Sequence, residues 1–189
     1  FTLSEEGMLQ QSGKLHTFTG SGVNPKRQTR SYPHSINLDP LNKFIFVCDL
    51  GADTVVRFLL NRQNGEMEPS GTVVKSSQPG AGPRHMCFTN DNKWAYVVNE
   101  LNNTVSVYAY DTESGNLRLH QEITTLPDPS LNWEKQLAAE IRLLAGDDYL
   151  YVSNRSVGGN GYDGIMIYKR DSRNGKLKAT EWVETGRHP

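Results

Sequence analysis

Four side chains in this sequence make a set able to do acid–base chemistry on an anion: His34, Arg84, Glu100 and Arg155. An imidazole and a carboxylate can each move a proton in a reacting complex. Two guanidinium groups can hold a phosphate or carboxylate through paired, charge-assisted hydrogen bonds. The four are scattered widely along the chain, so only a fold that returns repeatedly to one place brings them together.

Such a fold is written in the chain as a repeat. The segment "FIFVCDLGADTVVRF" (44–58) aligns without a gap on "WAYVVNELNNTVSVY" (94–108), an offset of 50 residues. A third copy, "YLYVSNRSVGGNGYDGIMIY" (149–168), carries an inserted glycine-rich loop. Each copy is preceded by a strand-like run ("HSINLDP", "RHMCFTN", "EIRLLAG") and followed by a hairpin signal ("NRQNGEME", "DTESGNLR", "DSRNGKLK"). Asn64-Gly65, Ser114-Gly115 and Asn174-Gly175 suit turns whose central residues take positive φ, and "SEEGMLQ", with Gly7, reads as a fourth such hairpin. Four short antiparallel strands, A to D, in roughly 50 residues are the signature of a β-propeller blade. Runs rich in Val, Ile, Tyr and Phe, broken by Gly, Asn and Asp, argue against helices. One helical turn is expected near Trp133 to Gln136. A β-sandwich would accommodate the strands but would not demand the repeat.

The expected fold is therefore all-β, a β-propeller with four-stranded antiparallel blades, present as an incomplete arc of three to four blades. Residues 1–30 read as a blade remainder, about 31–80, 81–130 and 131–186 as three blades, and 187–189 as the start of the next. Propellers close into rings, so the arc should expose raw strand edges that missing blades or another copy of the chain would cover. The chain begins "FTLSEEGMLQ", without methionine and without a signal-peptide pattern, and is expected to be a fragment of a longer protein.

Blade geometry collects the four residues. Strand A lines the axis, and the D-to-A and B-to-C connections emerge on one face, so the start of A and the end of B converge on an axial mouth. The start of A holds His34, Arg84 and Ala139 in successive units; the end of B holds Leu50, Glu100 and Arg155. Core positions such as Val47, Val97 and Val152 stay apolar through the repeat, whereas the mouth positions diverge toward polar groups. Each also has a plain structural use: His34 bonding a turn, Arg84 with Glu100 as a salt bridge, Arg155 solvated. His85 and Glu140, one residue further into A, are expected to point to the other side of the sheet and be structural. Neither "GAGPRH" (80–85) nor "VGGNG" (157–161) has the helix and Lys-Ser/Thr of a phosphate loop. Their glycines are expected to serve a tight D-to-A turn and a flexible mouth loop.

A net charge of −1 and a pI near 6.6 supply no basic field for nucleic acid or an anionic membrane, so an anion must be met by a local cluster. No apolar run approaches the roughly 20 residues of a membrane span. Cys48 and Cys87 lie in apolar strand-like runs and read as reduced core thiols, favouring a cytoplasmic location. No Cys and His pairing has zinc-ligand spacing, and no metal or cofactor is expected.

The combination "HSINLDPLNKFIFVCDLGAD", "GAGPRHMCFTNDNKWAYVVNELNNTVSVY", "AAEI" and "LYVSNR" resembles the lactonase family of seven-bladed β-propellers. That family includes bacterial propeller-type 6-phosphogluconolactonase and fungal carboxymuconate cyclase. The likeness covers nearly all of the chain, including "GSGVNPKRQ" (20–28). It implies a seven-bladed ring of which this chain is a part, with "TGRHP" resembling the start of the family's next strand A. The family's proposed active-site histidine, arginine, glutamate and second arginine fall on His34, Arg84, Glu100 and Arg155. Members often carry "PHAHS" where this chain has "SYPHS", so only the second histidine remains, as His34.

The resemblance implies a metal-independent lactonase acting on an anionic sugar lactone such as 6-phosphogluconolactone. Glu100 would be the general base, assisted by His34, with Arg84 and Arg155 holding the substrate anion and the oxyanion. One alternative is a carboxy-cis,cis-muconate cyclase, which forms the lactone ring with the same residues; another is a non-catalytic binding platform. The expected partner is a small anionic lactone or carboxylate, with neither nucleic acid nor membrane. The isolated 189 residues are expected to be inactive, because half a ring cannot enclose a site.

Overall fold

The computed structural model describes all residues except 1, 11, 12, 71–73, 77, 129, 131–134, 159, 160, 162, 188 and 189. A two-stranded ribbon, β1 (Thr2–Leu3) with β2 (Leu9–Gln10), opens the chain. Three antiparallel sheets then follow the repeat, each with its strands in sequence order. The first has β3 (Pro33–Leu38), β4 (Phe44–Asp49), β5 (Thr54–Leu60) and two short outer strands, β6 (Met67–Pro69) and β7 (Val74–Lys75), which both pair with β5. The second runs β8 (Pro83–Phe88), β9 (Trp94–Asn99), β10 (Thr104–Asp111), β11 (Asn116–Thr124). The third runs β12 (Gln136–Leu143), β13 (Tyr149–Ser156), β14 (Gly164–Arg170), β15 (Leu177–Glu184). Of the expected helical turn, Trp133 lies outside the described residues and Gln136 opens β12. No helix among the described residues is long and apolar enough to cross a membrane.

The sheets stack face to face. Phe44, Phe46 and Cys48 on β4 pack against Met86, Ala95, Val97, Tyr108 and Tyr110 of the second sheet, while Ile45 and Val47 turn to the opposite face. On β9, Ala95 and Val97 face the first sheet, and Tyr96 and Val98 join Ala138, Ile141, Leu150 and Val152 of the third. Strands buried on both faces explain why their sequences are unbroken apolar runs. On the first sheet, Ile36 and Leu38 of β3 are 64% and 51% exposed. A cavity of about 270 Å³ beside them is lined by Phe18, His34, Ile36, Val47 and Met67. Cys48 and Cys87 are free thiols, and burial pushes Cys48 up to about 12.

The three C-to-D hairpins place only their glycine, Gly65, Gly115 or Gly175, at positive φ (74°, 70° and 69°). Each turn closes through a bond from that glycine to a carbonyl four residues back, as from Gly175 N–H to Asp171 O at 2.8 Å. The loops are thus wider than the two-residue turns that their dipeptides suggested. Gly175 also permits close stacking: a Cβ there would lie 2.2 Å from the Trp94 ring of the preceding sheet.

The glycines of "GAGPRH" do cradle an anion, and it is the protein's own. Gly80 and Gly82 donate their N–H groups to the Asp53 carboxylate at 2.7 and 2.8 Å, clamping the turn after β4 to the loop leading into β8. The repeat-equivalent Asn103 reaches the next sheet by donating from Nδ2 to Gln136 O at 2.9 Å. Asp53→Ala leaves two N–H groups without their acceptor, which should cost about 1–3 kcal/mol. A denaturant midpoint unchanged from wild type in the full-length protein would count against the clamp.

Candidate active site

Strand A is bulged at the same place in all three sheets. In β3, Pro33 pairs with Asp49 and Ser35 with Cys48, leaving His34 without a partner. In β8, Pro83 pairs with Asn99 and His85 with Val98, leaving Arg84 unpaired. In β12, Ala138 pairs with Asn154 and Ile141 with Val152, so Ala139 and Glu140 together oppose Ser153. An extra residue breaks the strict in–out alternation of a strand. Arg84 and His85 therefore both reach the third sheet, Arg84 Nη1 donating to Ala139 O at 2.8 Å and His85 Nδ1 lying 2.7 Å from Glu140 Oε2. The expectation that His85 and Glu140 turn away from the mouth is thereby corrected: simple alternation from the start of A ignored the bulge.

Glu100 lies in the turn after β9, where its N–H bonds to Gly82 O at 2.8 Å. It is 1% exposed and surrounded by three arginines. Arg84 Nε donates to Oε2 at 2.8 Å, Arg155 Nη2 approaches the same oxygen at 3.5 Å, and Arg27 Nη2 donates to Oε1. Arg155, near the end of β13, and Arg27 keep 31% and 42% of their side chains open to solvent. The carboxylate neutralises one charge and holds three guanidinium groups in one array. A small anion arriving at the mouth meets the surplus.

His34 stands at the edge of that array with Nδ1 3.2 Å from His85 Nε2. The residue is exposed, and it also lines the cavity beside Ile36. Partial loss of water around the ring, then the charges of Arg84 and His85, hold its pKa below the usual 6.5, with Glu100 opposing them. The His85 pKa is lowered as well, mainly by burial, against the pull of Glu140. Both shifts favour the neutral form of the ring.

The structure thus gathers His34, Arg84, Glu100 and Arg155 around one mouth and adds Arg27, His85 and Glu140. Arg27 comes from an irregular segment with no repeat partner. It is held over Glu100 by Gln28, which is 1% exposed and donates to Leu50 O at 2.9 Å, and by Asn24 Oδ1, which accepts from Arg27 N–H at 3.1 Å. No periodicity could have found it. His85 and Glu140 had a signal, since they occupy the same repeat position; reading it required the bulge.

The chain matches the lactonase, 7-bladed beta-propeller family over residues 1–189. It belongs to that family. Among curated relatives it is 32% identical over 193 residues to a 6-phosphogluconolactonase of Formosa agariphila, covering 100% of this chain and 52% of that protein. It is 30% identical over 185 residues to a 6-phosphogluconolactonase of Bacillus subtilis, covering 98% of this chain and 50% of that one. Among solved structures, the periplasmic gluconolactonase of Pseudomonas aeruginosa superposes with a TM-score of 0.88 at 27% identity, over 99% of this chain and 50% of that one. The chain spans about half the length of these relatives. Its three stacked sheets are blades of the lactonase propeller, seen as a partial arc.

Proposed function

We propose that the full protein carrying this lactonase-family segment hydrolyses a sugar lactone that bears a phosphate or carboxylate, without a metal. The observation carrying this reading is the gathering of Arg27, Arg84 and Arg155 on the single carboxylate of Glu100, with the open ring of His34 beside them. Hydrogen bonds to charged groups contribute about 1.5–3 kcal/mol each, so this array favours an anionic ligand in a chain of nearly zero net charge. The names of the relatives, 6-phosphogluconolactonase and gluconolactonase, support lactone ring opening.

Between the two candidate bases, the geometry favours His34. Glu100 has guanidinium donors on both oxygens and almost no exposure, whereas His34 Nε2 has no hydrogen-bond partner among the described residues. In this reading Nε2 accepts a proton from a water as the water oxygen bonds to the lactone carbonyl carbon. The resulting oxyanion is held by guanidinium N–H groups. Collapse breaks the bond between that carbon and the ring oxygen, and the proton on Nε2 passes to the departing ring oxygen, giving the hydroxy acid.

The test is ring opening by the full-length protein, followed by NMR, on 6-phosphogluconolactone, on the same lactone lacking its phosphate, and on carboxymuconate. The phosphorylated lactone should be opened with kcat/KM about a hundredfold above the neutral one, the value of one or two charge-assisted bonds. Absence of lactone opening, or closure of carboxymuconate in its place, would sink the proposal.

A further inference from the structure

Two contacts fix where His85 carries its proton. Arg84 Nη1 lies 3.4 Å from His85 Nε2, and a guanidinium can only donate, so that nitrogen is the acceptor. On the other side of the ring, Glu140 Oε2 lies 2.7 Å from Nδ1 and accepts the proton that Nδ1 then bears. Glu140 is itself steadied by Arg142 Nε on Oε1 at 3.2 Å and by its own N–H bonding to Ser153 Oγ at 3.1 Å. His85 Nε2 also faces His34 Nδ1 at 3.2 Å, closer than Arg84 Nη1 at 3.4 Å; its single lone pair is shared between them, and a proton on His34 Nδ1 avoids two lone pairs facing each other at that distance.

We infer that Glu140 and His85 form a relay of positioning residues that holds His34 in its Nδ1–H tautomer, so that its Nε2 presents a lone pair to the mouth. The inference deepens the proposed function, because it explains how one imidazole is kept ready as a proton acceptor beside the Arg84 cation. The groups facing the His34 ring are Arg84 and His85 from β8 and Glu100 from the turn after β9, with Glu140 and Arg142 of β12 behind His85. The lowered pKa of each imidazole agrees with two neutral rings sharing one hydrogen bond.

The relay is tested on the full-length protein with ¹⁵N-labelled histidine, reading the ring nitrogens of His34 and His85 by NMR. In the wild type both rings should carry their proton on Nδ1. Glu140→Ala should move both toward the Nε2–H form and lower kcat about tenfold with KM within twofold. Glu140→Gln, whose Oε1 can still accept from Nδ1–H, should restore the wild-type ring pattern and most of kcat. A His34 proton on Nε2 in the wild type overturns the relay, as does an unchanged ring pattern in Glu140→Ala. The wild-type spectrum decides even if Glu140→Ala fails to fold. Failure of the lactonase reading would look different: the ring pattern would stand as described while no lactone is opened.

Discussion

Glu100→Gln in the full-length protein should lower kcat/KM for a phosphorylated lactone by about a hundredfold to a thousandfold and destabilise the fold at the same time. The amide keeps the shape of the side chain but not its charge, and its NH₂ would face one of the guanidinium donors that now converge on Oε1 and Oε2. Removing one partner of a buried ion pair costs about 3–5 kcal/mol, because the remaining charges lose their compensation. The lower end applies here, since the Arg27 side chain is 42% exposed and Arg155 31%, and water screens them. Released from Glu100, the arginines no longer share one geometry, so KM should rise as well as kcat fall. Turnover within a few-fold of wild type, with an unchanged denaturant midpoint, would show that Glu100 does not organise the site.

His34→Asn should behave differently. Loss of a positioned general base is typically worth about 10²–10⁴ in kcat, and KM should stay within a few-fold because the arginine array is untouched. The wild-type pH profile supplies an independent check. A histidine whose pKa is depressed keeps its neutral, proton-accepting form to lower pH, so activity should be lost as pH falls through a value below the usual 6.5. The same shift makes the folded state bind protons less readily than the unfolded one, so the stability it contributes is also lost on acidification. In His34→Asn the acidic limb of kcat/KM should vanish from whatever rate remains. An acidic limb retained in the variant would assign it to another group and remove His34 from the chemistry.

Much of the architecture was legible because the repeat and the pleat are enforced by burial. Val47, Val97 and Val152 announce central strands, and a one-residue slip there would turn each apolar set out of the core. Gly65, Gly115 and Gly175 marked the hairpins, although the bonds they make are wider than those of a two-residue turn. The site was legible only as far as the repeat reached. Arg84, Glu100 and Arg155 could be placed near one another by counting from strand starts and ends. Arg27 could not, since its position depends on Gln28 and Asn24 folding an irregular segment over the turn that carries Glu100. His85 and Glu140 were misdirected because a bulge is a backbone decision that apolar patterning does not record.

The bulge that opens each innermost strand has a consequence for how such a ring can change. In an unbulged strand the residue facing the axial mouth and the residues packed between blades share one phase, and editing the first disturbs the second. Here the spare residue absorbs the mismatch, so His34, Arg84 and the Ala139–Glu140 pair occupy a slot whose occupant can be exchanged while the stack beneath keeps its register. Each sheet thus carries one such position at the start of its first strand. A new ligand preference could be assembled blade by blade, without ever rebuilding the core.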